Sequence, residues 1–523
     1  MTALAQGAAG VALVMTLALL GVRQVSAAML LLCLQSLAVA TEALAQQQPV
    51  IAGLTILVNG AAAVWMLRWH LPGFYGSAPQ LGSTTLGILA GATLATLSQS
   101  QRLIAEPLAV VLLSILLAAT RRHSLLHLVA LVSLQNGLSL VAAAANASRL
   151  AALPCFLVAA PLGVALASDQ LWRRKPPAGK RLSDMVGWAQ VVTTVVFLSA
   201  SLFAPLDPVG TLFVPLLAAW GLTCAWASRI RRRPLADRVV DLFGLGAALF
   251  AVGTSSLVGG TFALSLAVAA LIMPTARRRL DALVLASCGT GLALFGVLAL
   301  SVDGSVVPVG SFLIGITAIG AVAPSLGPVC SVILLRLSLQ GPWPPEAAAI
   351  LAGLAFIGLT SCALGLLVLP PRQRIALLRL SLLLLVAVAL SLDTSQGRFV
   401  AITLLILTIL SDAAVRLSCA ATGSGVAPVA AVAGLAGLPP VGTFTGIASL
   451  VRETAATTPW MLLPVVLALI AMTRVGLPPC LPSIGRLRPP SPAWVPLGLA
   501  LAFGYAPPVG LVAWLRAITM SGP

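Results

Sequence analysis

The chain reads as a succession of long apolar runs separated by short polar breaks. Cut at charges, prolines and polar clusters, it gives about seven runs between residues 8 and 170 and about thirteen between 185 and 516. Each is close to the ~20 residues that a helix needs to cross a bilayer core. The runs are continuously apolar and do not alternate, which excludes a membrane barrel. The pattern therefore predicts an all-α polytopic membrane protein of about 20 transmembrane helices. Between the two sets lies DQLWRRKPPAGKRLSD (169–184), whose prolines and charges mark a loop. It divides the chain into a membrane segment 1–170, a linker 171–184 and a membrane segment 185–523. The first apolar run has no basic stretch before it, so it is expected to be a first transmembrane helix and not a cleaved signal.

One run breaks the pattern. Leu435–Val451, LAGLPPVGTFTGIASLV, is apolar enough for a membrane yet holds Pro439, Pro440 and several glycines. Proline removes a ladder donor and clashes with the preceding turn. Backbone groups freed in lipid must find partners in protein or water. The stretch is thus expected to be a broken helix, of the kind that lines ion paths in transporters.

Composition agrees with the pattern. Hydrophobic residues make up 59% of the 523 positions and charged ones 8%, with a mean hydropathy of +1.06, far outside soluble usage. The net charge of +17 could suggest nucleic acid, but no basic domain or aromatic-interleaved patch exists. With the N-terminus outside and strict alternation, all basic residues fall inside except Arg102, Arg149, Arg336, Arg398, Arg452 and Arg516. The positive-inside rule explains the charge and puts both termini outside. Eight cysteines form no CxxC, so no iron–sulfur cluster is expected. The two lysines, Lys175 and Lys180, both lie in the linker.

LAGLPPVGTF (435–444) resembles the LAGLPPxxGFxxK segment of the antiporter-like subunits of complex I, Mrp antiporters and group 4 hydrogenases. RRRLDALVLASCGTGLALFGVLAL (277–300), VCSVILLRL (329–337) and RQRIALLRLSLLLLVAVAL (372–390) resemble further helices of that family. RRHSLLHLVALVSLQNGLSLVAAAA (121–145) resembles component E of formate-hydrogenlyase-type hydrogenases, a relative of the K-type subunit of complex I. The resemblance implies a fusion: a component E/K-like first part and an antiporter-like second part with inverted repeats. It also locates what is missing. The family's glutamate and aspartate positions fall at Gln135, Pro161 and Ala167, and its lysine positions fall near Leu326 and at Ile447. An amide or alkyl side chain cannot titrate, so these are degenerate proton-path positions.

Other polar residues carry open alternatives. His123 and His127 stand four apart, a metal-pair spacing without a third ligand; solvation of His123 and packing or hydrogen bonding of His127 are the other reading. Glu42 and Glu106 are expected to be boundary residues at helix ends, where water is close. Asp412 and Arg416 suit an i,i+4 ion pair or a contact with a neighbouring subunit. Arg336 either snorkels outward or neutralises a buried partner. Catalytic, cofactor and metal residues are not expected, since there is no clustered Ser/His/Asp set and no cofactor motif.

Two functions follow as expectations. One is a structural membrane-arm subunit of a complex I-like or group 4 hydrogenase-like assembly in a bacterial inner membrane. Its partners would be other membrane subunits, lipids and a soluble redox arm on the cytoplasmic side. The other is a proton or cation transporter using a non-standard path through His127, Gln135, Arg336 and the broken helix.

Overall fold

The computed structural model describes residues 2–22, 24–69, 102–121, 124–145, 155–156, 158–159, 207–230, 235–276, 280–300, 302, 306–323, 326–339, 344–420, 426–438, 443–476 and 494–520. Every regular element among them is helical. Six helices are long and apolar enough to cross a membrane: Ser26–Ala45, Leu125–Ala144, Asp281–Leu300, Pro345–Val368, Gln373–Ser391 and Ser395–Ser418. A bent pair adds a seventh if it is one span, and further apolar helices are shorter. The chain is a multi-pass helical membrane protein.

Two compact units divide it. The first comprises Met1–Lys175 and Ile272–Ala318, the second Pro176–Leu271 and Ile319–Pro523. The first unit thus takes in residues 272–318 as well as the segment that the linker marks off. The linker itself lies outside the described residues.

In the first unit, α1 (Thr2–Gly21), α2 (Val25–Ala45), α3 (Pro49–Trp69), α4 (Arg102–Thr120) and α5 (Ser124–Ala144) pack together, and α9 (Leu280–Leu300) lies on α4 and α5. Helix α5 is the core, with nearly its whole length buried. Van der Waals fit, and not hydrophobicity, drives helix association in lipid, so small residues mark the contacts. At Gly291 a Cβ would strike the Leu134 side chain. At Gly296 it would meet the backbone of Pro308 and Phe312 in α10 (Val306–Val322).

In the second unit, α14 (Ser395–Ala420) is the hub. It packs on α6 (Pro208–Ile230), α13 (Pro371–Ser391), α15 (Val426–Leu435), α16 (Thr443–Thr457) and α18 (Trp494–Tyr505). Helices α7 (Leu235–Gly253), α8 (Leu257–Ala276), α11 (Gly327–Leu339), α12 (Pro345–Val368), α17 (Leu462–Gly476) and α19 (Val509–Met520) complete the order. Proline pairs punctuate this unit. α12 starts at Pro345 after Pro344, and α13 at Pro371 after Pro370, with Leu369 extended before that pair. A residue before proline is pushed out of the helical region, and proline at the first helical position sacrifices no hydrogen bond.

The last of the thirteen apolar runs, which spans 492–516 and suits one helix, holds two. Between Tyr505 and Val509 the chain bends by 71°, where Pro507 and Pro508 interrupt the ladder. The break in the 435–451 stretch is as expected. α15 ends at Leu435 and α16 begins at Thr443; Pro439 and Pro440 lie outside the described residues.

Candidate functional site

The broken helix closes its first half with a Schellman motif. Gly437 takes φ 71°. The Leu438 amide donates to the Ala433 carbonyl at 3.0 Å and the Gly437 amide to the Gly434 carbonyl at 3.1 Å. The buried Thr443 hydroxyl donates to the Gly434 carbonyl across the break. Ile447 is buried, and its side chain occupies the space that a Cβ on Gly437 would enter. The interior of the break therefore presents an alkyl group to its own backbone. Leu326 is buried too, just before α11, where Gly327 receives the Leu383 side chain of α13.

The first unit buries a layer of uncharged polar side chains drawn from five helices. Gln35 of α2 donates to Thr16 of α1 at 2.7 Å and to Ser133 of α5 at 2.9 Å. Ser114 of α4 donates to Ser133 at 2.9 Å. Asn136 of α5 donates to the Gln35 amide oxygen at 3.0 Å, and Asn59 of α3 donates to the Asn136 oxygen at 2.6 Å. Such a layer fixes how five helices meet, since every buried polar group seeks a partner. Gln135 points elsewhere, donating to the Phe156 carbonyl at 2.6 Å.

At one end of this unit His127 bonds to the Arg121 carbonyl. The Arg121 guanidinium in turn donates to the carbonyls of Leu20 at 2.6 Å and Val22 at 3.1 Å. Burial lowers the Arg121 pKa from its ordinary value, and the Leu20 and Val22 carbonyls favour the charged form. His127 is thus a packed, hydrogen-bonded histidine. His123, Pro161 and Ala167 lie outside the described residues. Among the described residues no group of three His, Cys, Asp or Glu side chains is placed to hold a metal.

Glu42 is not the water-facing boundary residue expected. It is 7% exposed. The Gln46 amide donates to its Oε1 at 3.1 Å, and its Oε2 has no partner. Glu106 of α4, half-buried, is coupled to it electrostatically.

Among the described residues of the second unit, the buried Asp412 and Arg336 are held in ion pairs. Asp412 of α14 is paired with Arg416 at 2.7 Å and with Arg379 of α13. It also accepts a hydrogen bond from the Trp220 indole of α6 at 2.9 Å, and Arg416 lies over that indole, 4.6 Å from its centroid. Arg336 of α11 meets Asp207 through two nitrogens at 3.1 and 2.5 Å. It also donates to the Ala251 carbonyl at 3.4 Å and to that of Thr254. Of its two expected readings, neutralisation of a buried partner is the one observed. Asp207 caps α6 as well, accepting from the Gly210 amide at 2.9 Å. One arginine thereby joins the start of α6 to the end of α7.

Sequence reasoning did not single out Asp207, Arg379 and Trp220. An Asp directly before Pro208 at the head of an apolar run is a helix-start signal and could have marked Asp207. Nothing local marks the other two.

No protein-family profile matches the sequence, and no curated protein matches it. Among solved structures, the chain is similar to a chain of the Mrp complex from Dietzia sp. DQ12-45-1b. The TM-score is 0.42 and the identity 16%, over 72% of this chain and 94% of that one.

Proposed function

We propose that this chain is a membrane-arm subunit of a complex I-like or group 4 hydrogenase-like respiratory assembly in a bacterial inner membrane. In this reading it crosses about 20 times with both termini outside. Residues 1–170 are the component E/K-like part and 185–523 the degenerate antiporter-like part. Its role is structural: it holds neighbouring membrane subunits, and the arm as a whole carries any soluble redox partner on the cytoplasmic side.

The observation that carries the reading is the alkyl interior of the broken helix. Where the resembling subunits place an ionisable group, Ile447 is buried against Gly437. A buried charge costs roughly 2.5–3.5 kcal/mol at mid-bilayer on insertion scales, so a chain freed from moving protons gains by replacing it. Leu326 and the carbonyl-bound Gln135 point the same way, and Arg336 and Asp412 are held by ion pairs.

The test has two parts. A tagged chain extracted in mild detergent is expected to bring antiporter-like or hydrogenase-like subunits in fixed stoichiometry, read by mass spectrometry. The purified chain in liposomes is expected to give no uncoupler-sensitive proton uptake. A lone chain with robust proton flux would overturn the proposal.

A further inference from the structure

The elbow between α18 and α19 fixes where this part of the chain stands in the membrane. Val495–Tyr505 and Val509–Met520 meet at 71°. The carbonyls of Phe503 and Gly504 lose their helical donors, because the residues four further on are Pro507 and Pro508. The first amides of α19 likewise have no acceptor within the helix. This backbone is not covered by the unit. Tyr505 is 53% and Val509 85% exposed, and Ala506, Pro508 and Gly510 are exposed as well. Exposed irregular backbone does not occur in the hydrocarbon region. The start of α19 therefore lies at a membrane–water interface, where tyrosine is enriched.

The far end of α19 lies at an interface too. The Arg516 guanidinium stands over the Phe399 ring, 5.9 Å from its centroid. Phe399 is one turn inside α14, close to the polar turn that enters it. There Arg398 pairs with Asp393 at 3.0 Å, and Thr394 donates to Glu453 of α16 at 3.2 Å. α14 has 26 residues, about 39 Å. That exceeds the ~30 Å of a hydrocarbon core, so its first turn reaches an edge. α19 has 12 residues, about 18 Å, too few to join the two edges. Both of its ends thus belong to one edge, and the helix lies along it.

We propose that α19 is a membrane-surface helix whose partner is the phospholipid interface. Its Leu515 and Thr519 are buried, and it packs on α14. Val509, Ala513, Ala517 and Met520 are exposed and share one face by their spacing. These apolar and small side chains suit the boundary between acyl chains and headgroups, and the exposed Arg516 beside them stands at the level of the lipid phosphates. The elbow turns the chain from the direction of α18 into the plane of the membrane. The inference needs only a multi-pass chain and not its membership of any assembly.

A keto amino acid incorporated at 509, 513, 517 or 520 carries a nitroxide and leaves the native cysteines unlabelled. The full chain is placed in nanodiscs of phosphatidylcholine and phosphatidylglycerol. Collision with oxygen, which concentrates in the bilayer, and with a water-soluble nickel chelate gives the depth of each label. The expected result is one shallow depth at every position. A steady change of depth from 509 to 520, up to about 16 Å for a crossing helix, overturns the proposal. So do labels open to nickel alone, which mean water, and labels shielded from both, which mean a covering protein. The unaltered chain gives a second reading that no substitution can spoil. A phospholipid with a diazirine next to its headgroup is expected to label 509–520, read by mass spectrometry of the peptides, and one with the diazirine at the end of its acyl chain is not. The reverse pattern, or no lipid label on this helix, overturns the proposal.

Discussion

At the scale of single residues, Asp412 shows what a buried charge does in this chain. It lies where α6, α13 and α14 meet, and its carboxylate separates two arginines that would otherwise repel. Removing one partner of a buried ion pair costs about 3–5 kcal/mol. Arg379 and Arg416 are each about one-fifth exposed, so water offsets part of that. Asp412→Asn is therefore expected to cost about 3 kcal/mol, at the lower end of that range. A thermal-shift assay in detergent would read it as a clear loss of stability. Combining it with Arg379→Gln should recover part of the loss, because the surplus positive charge goes too; full additivity would refute the coupling. The Asp412–Arg416 pair was legible from its i,i+4 spacing. Arg379 and Trp220 were not, because they meet Asp412 only through the packing of helices remote in sequence. Glu42 departs from its expected place for a related reason: a position near a helix end suggests water, whereas neighbouring helices enclose it.

At the scale of elements, prolines are the most readable signal. The pair at 439–440 predicted the break between α15 and α16. The pair at 507–508 marks an equally real break, although the apolar length of 492–516 suits one span. The backbone around the first break is fixed by Gly437. Its left-handed φ costs an L-residue roughly 1–2 kcal/mol, and a methyl there would meet Ile447. Gly437→Ala is expected to destabilise by at least that amount, about 1–2 kcal/mol. The loss should be smaller in an Ile447→Ala background, where only the backbone strain remains. A second contrast tests the glycine contacts. Gly296→Ala drives a methyl into the backbone of α10 and should cost about 1–3 kcal/mol. Gly53→Ala on α3 meets open space and should be neutral or stabilising by up to about 1 kcal/mol. Equal effects in the two, measured as melting temperatures of the purified variants, would mean that glycine propensity and not helix contact dominates.

At the scale of the whole molecule, membrane class and helical architecture follow from hydropathy alone, because lipid leaves so few alternatives. The compact units do not, because residues 272–318 join the first unit through contacts, such as Gly291 against Leu134, that no local pattern announces. The proposed structural role makes a prediction about gain as well as loss. If one absent lysine were all that separated this chain from a proton carrier, Ile447→Lys should restore transport. The rest of the second unit argues otherwise. Leu326 is apolar and buried, and the Arg336 charge is clamped by Asp207. A lysine at 447 would enter a packed interior beside Gly437. The expected outcome for Ile447→Lys in liposomes is a less stable protein, by roughly 2.5–3.5 kcal/mol, and proton uptake no greater than that of the unaltered chain. Uncoupler-sensitive uptake gained by this single change would mean that a working path still runs through the second unit, and the structural reading would have to be given up.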